Sequence, residues 1–250
     1  KNSYIFFYNT SSSVIKNINL QSPTSFIRLD NSAQNNIEGN TVSRLNNQGI
    51  VLNFSTENRI AYNTTNGSEP IALFQSSNNN VIENNTTSGT ASGIYVSGSH
   101  NNIIRFNDSS SGKNGISLNN GATGNDIHDN VFNNNTNGVN LYYRSLNGNL
   151  IYNNNFINNS IMLANGGTSQ QNFDQPLPIG GNYWSQYDES SEGCNDANND
   201  KVCDEPLNFE DGGHNIDNLP WKTVDGWKGC VTDCFSNVLF LPGLEASRLY

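Results

Sequence analysis

The sequence predicts an all-β chain wound as a parallel β-helix, with about 22 residues per coil and three short strands in each coil. Two observations carry this. The motif Asn-x-Ile-x-x-Asn recurs six times, its first residue falling at Asn35, Asn58, Asn80, Asn102, Asn125 and Asn149. A second series of apolar pairs runs in step with it: Ile27/Leu29, Ile50/Leu52, Ile71/Leu73, Ile94/Val96, Ile116/Leu118, Val139/Leu141 and Ile161/Leu163. Asn fills about one position in five, a composition that can accompany disorder. Series that stay in phase for six turns exclude that reading.

Each element of the coil has its own reason. The apolar pair has the period of two of a short strand, and Gly49, Gly93, Gly115 and Gly138 precede several copies. The central Ile of the motif marks a second strand. A weaker third series follows each closing Asn: Val42, Thr65, Thr87, Ser109, Phe132 and Phe156. Leucine-rich repeats of similar period need several Leu per repeat and a helical side, and neither is present. The corner Asn is expected to tolerate left-handed backbone and to bond the equivalent amide of the next coil in a ladder. The pattern also reaches backwards, with Ile5, Phe7 and Ile15 each standing 22 residues before Ile27, Leu29 and Ile37. The first coil therefore starts without a polar cap, which is expected of a fragment of a longer protein, and an uncapped stack can also join end to end.

Only 14% of the 250 residues are charged, against about 25% in ordinary domains. The net charge of −10 offers no basic field to a nucleic acid, so none is expected as a partner. No apolar run approaches the roughly 20 residues of a membrane span, and no signal-peptide pattern opens the chain.

The Asn-x-Ile-x-x-Asn and Gly-Ile-x-Leu coils resemble the right-handed parallel β-helix repeats of the NosD-like, carbohydrate-binding and sugar-hydrolase (CASH) group. The segment Gly180-Gly-Asn-Tyr-Trp-Ser-Gln-Tyr187 is similar to the aromatic element that follows those coils in many archaeal and bacterial surface proteins. That family continues with an Asp-rich loop and an Asn-x-Asp-x-x-Pro segment, matched here by Asp196 to Asp204 and by Asn215-Ile-Asp217-Asn-Leu-Pro220. The resemblance covers roughly residues 1–225 and implies a right-handed helix on an extracellular or cell-surface protein. The family's name refers to copper. His100, His128, His214 and Met162 are the residues able to serve it, and their spacing groups none of them, so copper is not carried over.

The Asp-rich loop has chemistry of its own. Asp196, Asn198, Asp200 and Asp204 place oxygen side chains at loop positions 1, 3, 5 and 9, with the Val202 carbonyl at position 7. This is the hard-oxygen order of a calcium loop, and a structural calcium is expected. Two features depart from the pattern: Lys201 replaces the turn Gly, and position 12 lacks Glu, for which the neighbouring Glu205 is the substitute. The alternative is an acidic, solvated loop. Four cysteines in such a chain read as two disulfides, with Cys194–Cys203 closing the loop and Cys230–Cys234 closing a smaller one. Three pairings are formally open, and a four-cysteine zinc site is the rival. Disulfides imply an oxidising compartment.

Aligning the residue after each motif Ile stacks Glu38, Ala61, Glu83, Arg105, His128 and Tyr152. Glu83, Arg105 and His128, with Asp126 nearby, are the best catalytic candidates for a polysaccharide lyase or glycoside hydrolase. The same column reads as a surface ion-pair ladder contributing under about 1 kcal/mol, and that reading is favoured. On the other strand series, Phe74, Tyr95, Tyr142 and Tyr143 occupy outward or turn positions suited to stacking on a glycan.

The chain thus divides into coils over 1–172, an aromatic cap and calcium loop over 173–229, and a Cys-closed linker over 230–236. Residues 237–250, with the run Val-Leu-Phe-Leu-Pro-Gly, resemble the first core strand of α/β-hydrolase lipases and acyltransferases, which implies a further hydrolase domain. The alternative there is a terminal strand packed on the coils. Within the chain the expected role is a non-catalytic surface module, carbohydrate-binding or a spacer, stabilised by calcium; a carbohydrate-active enzyme is the rival.

Overall fold

The computed structural model describes residues 3–44, 46–142, 148–166, 170–209 and 215–229. Three parallel sheets run through it, and successive coils give one strand to each. The first sheet has eight strands, from Tyr4–Tyr8 to Ile161–Asn165. The second has seven, from Val14–Lys16 to Leu150–Tyr152, and the third eight, from Asn19–Leu20 to Tyr183–Trp184. The result is a parallel β-helix of about seven coils, each about 4.8 Å above the last.

Register follows the sequence repeat. Ile60, Ile82, Ile104, Ile127 and Ile151 are successive partners in the second sheet. Ile27, Ile50, Ile71, Ile94 and Ile116 do the same in the first. All of these are fully buried, and each buried Ile stabilises the stack by about 1.5–3 kcal/mol. The third column changes size along the axis, from Thr65, Thr87 and Ser109 to Phe132, Phe156 and Trp184. Where the rings begin, the opposite wall must thin: a Cβ on Gly138 would fall 2.8 Å from the Phe156 ring. Phe132, Phe156 and Trp184 stack with centroids 5.1 and 4.1 Å apart, closing the core at its C-terminal end.

The corners divide two tasks that the sequence reading assigned to one Asn. The left-handed residue is the one before each motif Asn: Gln34, Glu57, Asn79 and Asn101 ahead of the first, and Tyr62, Asn84, Phe106, Asp129 and Asn153 ahead of the second. The motif Asn itself builds the ladder. Asn107, for example, donates Nδ2 to Asn130 Oδ1 and Ile82 O, both at 2.9 Å, while its own Oδ1 receives Asn85. One ladder runs Asn35, Asn58, Asn80, Asn102, Asn125, Asn149 and then Gln171. The other runs Asn40, Asn63, Asn85, Asn107, Asn130, Asn154 and Asn182. Every amide in these rows is buried, so each bond also satisfies a group that water cannot reach.

Candidate functional site

The outer side of the second sheet carries the stacked column as aligned from sequence. Glu83 lies between two arginines, its Oε1 receiving Arg59 Nε at 2.7 Å and its Oε2 receiving Arg105 Nε at 2.9 Å. Burial pushes the Glu83 carboxyl up, but the bonds from Arg105 and Arg59 outweigh it and hold the group below the ordinary glutamate value. Arg59 also reaches Glu38 at 3.2 Å, extending the ladder by one coil. His128 stacks on Tyr152 at 5.3 Å, and its Nδ1 lies 2.7 Å from Asp129 Oδ2. The other Asp129 oxygen receives Trp227 Nε1 at 2.6 Å, so this His–Asp pair anchors the cap to the coils. Asp126 faces Tyr152, whose hydroxyl is pushed up to about 12 by burial and then by Asp126. Glu83, Arg105 and His128 are therefore neighbours, each tied to another side chain.

On this side two rings stand out that the sequence reading did not single out. Tyr62 and Phe106 are 56% and 47% exposed, with Arg59 5.5 Å from the first ring and Arg105 5.6 Å from the second. Their signal was an aromatic residue immediately before the closing Asn, where other coils have Gly39, Asn84, Asp129 and Asn153.

The first sheet holds the aromatics named from sequence. Phe74 and Tyr95 are half-buried against each other at 5.4 Å, and Tyr95 Oη receives Asn119 Nδ2 at 2.8 Å. Tyr142 lies on the same sheet and is exposed; Tyr143 lies outside the described residues.

The Asp-rich loop is stapled by the Cys194–Cys203 disulfide, both cysteines buried. Within it, Asp196 accepts the N–H groups of Asp200 and Lys201 at 3.1 and 3.2 Å, and Asp204 accepts Ala197 N at 2.8 Å. Asn198 Nδ2 donates to Asp200 Oδ2 at 3.0 Å. Lys201 has φ 73°, so it makes the left-handed turn expected of Gly. Val202 is buried and pairs with Trp221, while the Glu205 carbonyl accepts Tyr187 Oη at 3.2 Å. Among the described residues no three His, Cys, Asp or Glu side chains converge as a metal cage would. Cys230 and Cys234, the 230–236 linker and residues 237–250 lie outside the described residues.

Such a chain, three parallel sheets around an Ile core with amide ladders at the corners and a disulfide-closed cap, is a parallel β-helix repeat protein. The family described as "Periplasmic copper-binding protein (NosD)" matches residues 1–189, and the chain belongs to the NosD family. No curated protein and no solved structure matches it. The periplasmic station in the family's description agrees with the location expected outside the cytoplasmic membrane. No described helix is long and apolar enough to cross a membrane.

Copper would need several His or Met donors brought close together. His100 Nδ1 lies 3.0 Å from Thr123 Oγ1, His128 is bound to Asp129, and Met162 sits on the last strand of the first sheet. These side chains form no common group, so the described residues do not fit a copper centre; His214 lies outside them.

Proposed function

We propose that the chain is a non-catalytic module of the cell exterior, a rigid rod that presents a glycan-binding side and whose cap loop is held by calcium. One observation carries the non-catalytic reading: three of the four candidate catalytic groups, Glu83, Arg105 and His128, are committed to structural partners. Glu83 is shared by Arg59 and Arg105, and His128 is bound through Asp129 to Trp227. A general acid or base needs a free proton site within reach of substrate. Glycan binding is supported by aromatic side chains on a rigid, flat sheet, among them Phe74, Tyr95 and the exposed Tyr142. Glycan-array binding without product release tests it, and weakening by Tyr142→Ala would locate the contact on the first sheet. Activity on pectin- or alginate-like polymers that vanishes in Glu83→Gln would replace it with the carbohydrate-active enzyme.

The calcium reading rests on the order of oxygens at Asp196, Asn198, Asp200, Val202 and Asp204, with Glu205 following, and on the left-handed turn at Lys201. Chelation is expected to lower the melting temperature, and Asp200→Ala to remove that response. An unchanged melting temperature with chelator defeats this assignment and leaves the acidic-loop reading.

A further inference from the structure

We propose that the outer side of the second sheet is a track for a neutral, extended polysaccharide laid along the long axis. Tyr62 and Phe106 are its stacking platforms, and Arg59 and Arg105 its fixed hydrogen-bond donors. The inference rests on the glycan-binding reading above and adds the place and the class of glycan.

The corner column that closes each second-sheet strand runs Asn17, Gly39, Tyr62, Asn84, Phe106, Asp129 and Asn153, and every member has positive φ. Gly, Asn and Asp occupy that conformation readily, whereas a bulky ring there is an outlier that points to a functional constraint. Tyr62 and Phe106 both have φ 56°. Half-exposed as they are, neither ring gains core packing to offset the conformation. Both nevertheless share one arrangement, a guanidinium over the ring, with the Nε of each arginine bonded to Glu83.

That arrangement is suited to a sugar. An exposed ring stacks on the apolar face of a pyranose, and a guanidinium with five donors has more N–H groups than Glu83 alone can take up. Because Glu83 holds both arginines and Glu38 also holds Arg59, these donors are pre-organised, which lowers the ordering cost of binding. The two platforms lie two coils apart, about 10 Å along the axis at ordinary strand spacing. An extended β-linked pyranose chain advances by close to one coil per sugar, so every second ring would meet a platform. Charge selects the class: Arg59 and Arg105 are balanced by Glu38 and Glu83, and the whole chain carries −10. A polyanion such as pectate gains nothing there, whereas a neutral chain meets rings and fixed donors.

The test is calorimetric titration of the full chain with β-(1→4)-linked glucohexaose, mannohexaose and, separately, a polygalacturonate hexamer. The double variant Tyr62→Asn/Phe106→Asn takes the residue found at the same corner in Asn84 and Asn153, so its melting temperature should hold or rise. At least one neutral hexaose should bind the native chain, with affinity falling tenfold or more in the double variant and little in Tyr142→Ala. Neutral binding unchanged in the double variant but weakened by Tyr142→Ala overturns the track and leaves the glycan-binding module standing. Binding of the acidic hexamer alone likewise overturns only the track. No binding to any of the three, together with a silent glycan array, overturns both.

Discussion

Asn182 donates both its backbone N–H and its side-chain amide to one oxygen of Asp217, at 2.9 and 3.2 Å. Trp184 Nε1 reaches the same oxygen at 2.9 Å. In the ladder that ends here, each Asn passes its donors to the carbonyl of the next coil, so the last coil needs an acceptor and no donor. The unprotonated oxygen of a carboxyl group is an acceptor only, whichever charge state the group holds. The aromatic element at 180–187 and the Asn215-Ile-Asp217 segment are thus two halves of one cap.

Asp217→Ala leaves two buried donors, the Asn182 backbone N–H and Trp184 Nε1, without an acceptor, while Asn182 Nδ2 keeps Ile151 O and Phe173 O. The unfolding free energy is expected to fall by about 2–6 kcal/mol, at roughly 1–3 per orphaned group, and urea denaturation measures it. An effect near zero would remove Asp217 from this role.

The same residue gives a pH dependence. Complete burial pushes the Asp217 carboxyl from its ordinary 3.8 up to about 7, against the donors from Trp184 and Asn182 that pull it down. The folded state therefore binds more protons than the unfolded state between these values. Stability from this group is full below about 4, falls as pH rises toward 7 and levels above it, over a range on the order of a few kcal/mol. Asp217→Asn should flatten that slope in thermal scans across the window.

Glu83 has the opposite sign. Its carboxyl is held below its ordinary 4.5, so its contribution is present above that pH and is lost as pH falls through the folded value. Glu83→Gln is expected to lessen the loss of stability in acid, measured as melting temperature below pH 4.5.

Within the ladder, Asn107→Ala removes bonds to Asn130, Ile82 and Asn85 at once. A loss of about 2–4 kcal/mol is expected from the unsatisfied groups left behind, against under about 0.5 for an exposed substitution such as Asn208→Ala.

At Gly181 a Cβ would fall 1.9 Å from Asp217 Oδ1, so Gly181→Ala must displace the cap. Limited proteolysis should then cleave within 183–229 while leaving the coils intact.

The coils were legible because each is set by residues about 22 apart, near enough for a repeat to reveal which side chains share a column. Ile82 and Asn85 state their roles six times over. The left-handed corner was misassigned because its occupants vary, from Gly39 to Tyr62 to Asp129, and backbone conformation is what they share. For the same reason Tyr62 and Phe106 carry no repeated signal. The cap was recognisable as a motif but not as a mechanism. Asp217 meets Asn182 across 35 residues and Trp227 meets Asp129 across 98, each once, with no repetition to expose the pairing.

The central claim is that the motif amides form continuous buried ladders holding the coils in register. Hydrogen exchange of side-chain amides, followed by NMR, tests it most directly. The Nδ2 protons of Asn63, Asn85, Asn107 and Asn130 should exchange only through global unfolding, far more slowly than those of the exposed Asn158 and Asn208. Ladder amides exchanging as fast as these two would contradict it.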